Sequence, residues 1–411
     1  MNSLSVKITM PLTESAPLLL PSSASSVSSS DARSAQLSRL GLSLLVVCLG
    51  AFIVQSEVTA HVQNHFDYKK PYFILYLSHS CYGLLLVFLA AAARIADGST
   101  ASMRRYLTLS IRQLPLHPPT PPPLPHSVVD SPALPGTFPV DNNNNKLSIP
   151  FPLRMLLLAS GAAFPSYCWY LAVSHTSMGN VTAIFNTSSF FAYLFSILMS
   201  VDGERFAWRK LLAVVLSLVG VAIISFGSTA AAVQGPPDTT LIASASTAVS
   251  SSSTTAAQSS VWGDLLALMG AASYGLYEAL YKKYAVPAQP SVAFGNFITG
   301  CIGLVTLTAL WIPIPLLHFL GVEPFALPSA EQALYIFLIA LMGLVYNACF
   351  MLVIAFTSPV IAAVGVMLTI PLICITDLSL GIVASISTAT VLGSVLICAG
   401  FVMLVSSYAT K

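Results

Sequence analysis

MLVIAFTSPVIAAVGVMLTIPL (351–372) decides the fold, because a second stretch of the chain resembles it. Set without a gap against YLAVSHTSMGNVTAIFNTSSFF (170–191), it places Thr357-Ser358 on Thr176-Ser177. The segments that follow correspond at nearly the same offset. VLGSVLICAGFVMLVS (391–406) matches LLAVVLSLVGVAIISF (211–226), with Gly400 on Gly220. Two further segments, near 40–61 and 261–281, each carry one glutamate close to an end, Glu57 and Glu278.

Outward from this pair most of the chain is apolar. Hydrophobic residues make up 55% and charged residues 8% of its 411 residues, against about 25% charge in a soluble domain. A soluble fold of this composition has no means of covering its surface, and lipid removes that need. Ten apolar segments are read, near 40–61, 71–93, 153–173, 179–201, 209–228, 261–281, 292–314, 332–355, 359–382 and 386–408. Each is long enough to cross about 30 Å of hydrocarbon as a helix rising 1.5 Å per residue. The runs are continuously apolar, whereas barrel strands are about 10 residues long and alternate. The expected fold is all-α and integral to the membrane.

Two insertions interrupt the pattern. Residues 95–151 hold HPPTPPPLPH and DNNNNK, and residues 229–260 hold STAVSSSSTTAAQSS. Neither can bury enough apolar surface to fold alone, so both are expected to be disordered. The expected organisation is a disordered tail at 1–38, helices 1–2 in 39–94, the Pro-rich insertion at 95–151, and helices 3–5 in 152–228. The Ser/Thr-rich insertion at 229–260 and a second repeat of helices 6–10 in 261–408 complete it. A polyproline-reading partner at 115–125 is possible on composition. The first 38 residues carry no apolar core of a cleaved leader, so the first helix is expected to direct membrane targeting.

Basic residues set the orientation. With the N-terminus cytosolic, 15 of the 17 Lys and Arg fall on the cytosolic side, and Lys69 and Lys70 alone face the other. The C-terminus is then cytosolic too. Five helices per copy is an odd number, so the second copy sits upside down. Inverted repeats of this kind are a device of secondary transporters.

The residues resemble the drug/metabolite transporter superfamily, in its EamA-like and solute-carrier-35 branch, nearest subfamily F and the fungal vacuolar-membrane members. The resemblance rests on SEVTAHVQNHFDYKKPYFILYLSHS (56–80), TSSFFAYLFSILMSVDGERFAWRKLLAVVLSLVGV (187–221) and GDLLALMGAASYGLYEALYKK (263–283). It rests also on GLVTLTALWIPIPLLHFLGVEPFALP (303–328) and TSPVIAAVGVMLTIPLICITD (357–377). It implies ten helices in two five-helix halves and transport of an organic solute, with nucleotide sugars, cofactors or other metabolites as substrate classes. It leaves the solute open.

Ionisable groups inside a membrane are functional candidates by default. Glu278 shares a helical stripe with Ala271, Tyr274 and Tyr281, a face suited to lining a cavity where the carboxylate binds a cation or a proton. It also lies about 26 Å along its helix, so an interfacial pair with Lys282 is the alternative. Asn186 and Ser188, with Tyr346 and Asn347, are mid-membrane polar groups that either bind substrate or bond between helices. Glu57, Asp377 and Pro371 are gating or coupling candidates, Pro371 because proline kinks a helix. Glu14, Leu18 and Leu19 have the form of an acidic dileucine sorting signal, which favours a vacuolar or endolysosomal membrane over the Golgi.

Other chemistries lack support in the sequence. The seven cysteines are scattered through apolar runs without C-x-x-C or Cys/His spacing, so no metal site is expected. There is no Walker A loop, no H-E-x-x-H and no buried aspartate pair, so neither an enzyme nor a cofactor is expected. The net charge of +2, without a basic aromatic cluster, gives no nucleic-acid partner. The expected partners are the lipid bilayer and a small-molecule substrate. A receptor or scaffold working through the Pro-rich loop is the competing reading.

Overall fold

The computed structural model describes residues 23–409, apart from 67, 69, 98–99, 113, 115–149, 174, 176–177, 235–260, 288 and 380–386. The polyproline stretch at 115–125 and the sorting residues Glu14, Leu18 and Leu19 lie outside the described residues. Those described form helices and connecting turns, with no strand among them.

The helices are α1 (Ser23–His65), α2 (Pro71–Ser80), α3 (Leu84–Asp97), α4 (Ala101–Arg112), α5 (Phe151–Val173), α6 (Met178–Phe185), α7 (Ser188–Leu198) and α8 (Trp208–Gln234). They continue as α9 (Val261–Ala285), α10 (Val292–Ala309), α11 (Pro313–Phe319), α12 (Ala330–Phe356), α13 (Pro359–Val366), α14 (Thr369–Ser379) and α15 (Thr388–Ala409). Local chemistry marks several starts. Ser329 and Gln332 form a reciprocal capping box on α12. The Ser358 hydroxyl accepts from the Ile361 amide, with Pro359 at the first position of α13.

Among the described residues, seven helical stretches are long and apolar enough to cross a membrane: 36–55, 71–96, 180–198, 208–226, 292–309, 330–356 and 388–408. Pro359–Ile375 is a shorter apolar stretch. α9 has spanning length but not the apolarity. It packs against α5, α6, α7, α12 and α13, so much of its surface meets protein and carries Gly, Tyr and Glu instead of lipid-facing side chains.

The chain differs from the sequence expectation in three places. α1 begins at Ser23 rather than near 40. A helix, α4, occupies part of the 95–151 insertion. Met103 and Ser110 are buried on it, and Leu107, Ile111 and the following Leu114 pack on the main core. Its apolar spacing of three to four residues gives it a face to bury.

The third difference is that the fourth and ninth segments are each broken. Between α6 and α7 the ladder tightens at Asn186-Thr187, where the Thr187 amide donates to Ile184 O and the Phe190 amide to Thr187 O. The Thr187 hydroxyl donates to Ile184 O at 2.5 Å and the Asn186 side chain to Thr182 O at 2.8 Å. Between α13 and α14 the Met367 amide donates to Val364 O and the Leu368 amide to Gly365 O. Pro371 supplies the cause there: it has no amide proton, and its ring crowds the carbonyl four residues back. The second break repeats the first at an offset of 181, and so do the ends of all four helices.

α8 and α15 form one long crossing, α1 lies along α12, and α5 lies along α9. The main core gathers residues of α1, α5, α9, α10 and α12, with Tyr277, Tyr281, Phe294 and Phe350 among its large buried side chains.

Candidate functional site

α9 delivers Glu278 to the middle of this core. Its side chain is 0% exposed, and neither carboxylate oxygen has a hydrogen-bond partner in the protein. The pair with Lys282 does not form. Lys282 Nζ turns away, donating to Ala355 O at 2.7 Å and Thr357 O at 3.3 Å and meeting Asp202 Oδ2 at 3.2 Å. The end of α12 offers carbonyls that its own helix cannot satisfy, and an ammonium group is their natural partner.

Aromatic rings from three other helices form a row with Tyr274, one turn before Glu278 on α9. Tyr274 stacks on Phe350 at 6.3 Å and 14°, and Phe350 stacks on Tyr346 at 5.5 Å and 14°. Phe52 of α1 meets Tyr346 at 5.3 Å, and Phe185 of α6 meets Tyr274 at 6.0 Å. The row therefore runs α1, α12, α9, α6. Tyr277 adds a ring 6.2 Å from Tyr274 and donates its hydroxyl to the Met351 sulfur. The row reaches α6 just before its break. Near that break Gly275 of α9 lies so close to α7 that an added Cβ would stand 2.6 Å from the Ala192 nitrogen and 2.7 Å from the Ser188 carbonyl oxygen.

Of the residues singled out from sequence, Tyr274, Glu278 and Tyr346 come together here. Tyr281 is buried one turn further along α9, its ring 6.4 Å from Tyr277. Ser188 is buried at the start of α7, and Asn186 bonds back into its own helix. Asn347 donates to the Tyr82 hydroxyl and to Gly343 O, pointing into the α2–α3 junction rather than at Glu278. Pro371 is buried near the start of α14. Glu57 lies on α1 and Asp377 on α14, and their side chains are outside the described residues.

Sequence reasoning passed over Tyr277, Phe350, Phe52 and Phe185. Tyr274, Tyr277 and Tyr281 are three and four residues apart, a spacing that marks one aromatic face. Phe350 follows Tyr346 by four on α12 in the same way. The Lys282 clasp had no local signal, since its acceptors lie more than 70 residues away.

The two ends of the bundle differ. At one, the clasp binds α9 to the α12–α13 junction and to the Val201–Gly203 turn, while Lys283 donates to Met199 O at 2.7 Å. That turn holds Ser200 and Asp202 at φ +50°, conformations a side chain disfavours. At the other end, Glu323 accepts from the Tyr72 and Phe73 amides at 3.0 and 3.1 Å, capping α2. A shallow cleft there is lined by Lys70, Phe73, Leu317 and Glu323, among others. The Tyr68 hydroxyl donates to Ala326 O, and burial with the nearby Glu323 carboxylate pushes its pKa up to about 12.

Comparison with known proteins identifies the fold. Residues 130–226 match the model of the EamA-like transporter family. An uncharacterized transporter of Schizosaccharomyces pombe is 26% identical over 89% of this chain and 94% of its own. An uncharacterized vacuolar membrane protein of Saccharomyces cerevisiae is 27% identical over 81% of each chain. Solute carrier family 35 member F5 of Mus musculus is 30% identical over 52% of this chain and 38% of its own length. A solved crystal structure with 14% identity superposes with a TM-score of 0.54, covering 89% of this chain and 99% of that one, a likeness of fold alone. With the apolar helices, these matches describe a multi-pass membrane protein that is similar to the EamA-like transporters, to solute carrier family 35 subfamily F and to the fungal vacuolar-membrane transporters.

Proposed function

We propose that the chain is a secondary transporter of an organic small molecule, with ten transmembrane helices in two inverted five-helix halves and one central site used by alternating access. The observation that carries this reading is the exchange relation between the halves. Shifting α6 and α7 by 181 residues gives the bounds of α13 and α14. The packing obeys the same exchange. α1 on α12 answers α9 on α5, α2 on α12 answers α10 on α5, and α6 and α7 on α9 answer α13 and α14 on α1. Two halves related in this way can trade conformations and open one site to either side in turn.

The relatives' printed names support transport, and the vacuolar name of one supports a vacuolar or endolysosomal membrane. The distribution of basic residues supports cytosolic termini, and on that orientation the Lys282 clasp is the cytosolic gate. Glu278, Tyr274 and Tyr346 form the binding centre, with Tyr281, Asn186, Ser188 and Asn347 around it. Glu57, Asp377 and Pro371 act in gating or coupling.

The test is counterflow. Purified protein in proteoliposomes is preloaded with one member of a panel covering nucleotide sugars, nucleobases, cofactors, amino acids and organic cations, and uptake of the labelled solute is followed. A carrier shows saturable uptake accelerated by the trans solute. Uptake that is nowhere trans-accelerated sinks alternating access.

A further inference from the structure

The insertion between α3 and α5 carries α4, and two contacts fix the depth at which α4 sits. The apolar stretch 71–96 ends at Ala96, and α4 begins just beyond it at Ala101. The Tyr106 hydroxyl of α4 meets the Ser291 hydroxyl at 2.6 Å. Ser291 caps α10, whose own apolar stretch starts at Val292. α4 is therefore held level with two places where the chain passes from hydrocarbon into water.

At 100° per residue the circumference of α4 divides into three arcs. Met103 and Ser110 are buried on the first, with Leu107 and Ile111 packed on the core. Tyr106 and Leu109 lie on the second, 39% and 52% exposed. Arg104 and Arg105 lie on the third, both exposed. Arg94 is exposed on the last turn of α3, beside Ile95, which is 87% exposed. Ile95 continues the stripe of exposed Phe88, two turns earlier on α3. Among the described residues no carboxylate pairs with any of these three arginines.

Three unpaired guanidinium groups beside bare apolar side chains, at a membrane edge, fit a partner that is anionic at one end and apolar at the other. A guanidinium matches a phosphate with two parallel hydrogen bonds. A soluble anion leaves the apolar arc in water, and so does an acidic peptide. A helix with a basic polar face and an apolar flank lies in the lipid interface.

We propose that the α3–α4 corner binds an acidic phospholipid, with Arg94, Arg104 and Arg105 on its phosphate and Ile95, Tyr106 and Leu109 along its acyl chains. The site is separate from the central one and does not depend on transport. The orientation proposed above decides only the leaflet, the cytosolic one, where acidic lipids concentrate.

Native mass spectrometry of the full chain, freed from detergent, counts lipid adducts after incubation with phosphatidylserine or with phosphatidylcholine of the same chains. Phosphatidylserine should bind at least about tenfold more tightly, since each arginine near the surface contributes about fivefold. Arg104→Gln with Arg105→Gln should erase that preference, and Arg94→Gln alone should cost about fivefold. Arg104→Lys with Arg105→Lys keeps the charge and should keep most of the preference, which separates a lost ligand from a lost fold. Glycerophosphoserine, the same headgroup without chains, should bind far more weakly than the lipid. Equal binding of the two lipids, or a preference that survives the double glutamine variant, overturns the proposal. If glycerophosphoserine, or polyglutamate in its place, binds as tightly as the lipid, the surface takes a soluble anion and the proposal fails.

Discussion

Gly220 and Gly400 hold exchanged places in a single helix crossing. A Cβ on Gly220 of α8 would stand 2.5 Å from Gly393 O and 2.9 Å from Ile397 Cγ1 of α15, and one on Gly400 would meet Ala213 O at 2.7 Å and Ser217. Residues 213, 217 and 220 become 393, 397 and 400 on adding 180, so each glycine touches the counterparts of the residues that touch the other. Small residues let backbones in a membrane approach this closely.

Either glycine replaced by leucine should push the two helices apart. Overpacking costs typically about 1–3 kcal/mol, and backbone carbonyls cannot move aside as a side chain can. Gly220→Leu and Gly400→Leu are expected to lower the melting temperature by similar amounts, read by thermal unfolding in detergent. Gly50→Leu is the control, because nothing lies within 4 Å of an added Cβ there. A large difference between the first two would break the equivalence.

Lys210 makes a buried pair with Glu204, and its ammonium also lies 3.5 Å from the centroid of the Tyr408 ring, tying α8 to α15. Removing one partner leaves the other a buried charge without this counter-charge, at about 3–5 kcal/mol. Lys210→Met should therefore destabilise strongly. Lys210→Met with Glu204→Gln should recover much of the loss, since no naked carboxylate remains. A double-mutant cycle on denaturation midpoints reads the coupling.

Lys282→Met should loosen the hold of α9 on the end of α12 and on the Val201–Gly203 turn. Hydrogen bonds from a charged donor contribute about 1.5–3 kcal/mol when buried, while Asp202 is 62% exposed and bears its loss in water. Hydrogen exchange at amides 199–204 and 355–358 should quicken at least tenfold, and Lys282→Arg should slow it again. Unchanged exchange in both segments would mean that the lysine closes nothing.

Glu323→Ala should free the first amides of α2. Pro71 already spares that helix one donor, so the carboxylate answers the next two in line. The cost is about 1–2 kcal/mol, as for other helix caps, read as a fall in melting temperature and faster exchange at 72–73. Glu323→Gln keeps one acceptor and should fall between. The Tyr68 tie beside it has a raised folded pKa, so its stabilising effect is complete below about pH 10 and fades as pH climbs through about 12.

How much of this was legible beforehand depends on where each signal lies. Apolar runs announce themselves residue by residue, so the seven spanning stretches found among the described residues could be read directly. α9 could be placed by its length and flanking charges, although its hydropathy is low. Pro371 pointed to the second break. The first has no proline and depends on Asn186 and Thr187 bonding into their own turn, which many polar helix residues do without breaking anything. The Tyr274–Glu278 stripe was visible in periodicity. That Glu278 is unpaired was not, because the partner expected for it, Lys282, is captured by carbonyls more than 70 residues away.

Glu278 and Lys282 are one helical turn apart, about 40° from alignment on a helix with 3.6 residues per turn. The anchoring lysine and the empty-handed carboxylate thus ride on one stiff shaft. In the proposed transport cycle, a roll or slide of α9 that brings Glu278 towards a ligand draws the Lys282 ammonium off the end of α12 in the same stroke. Loading and unlocking become a single rigid displacement, so the message from site to exit needs no relay of intervening side chains.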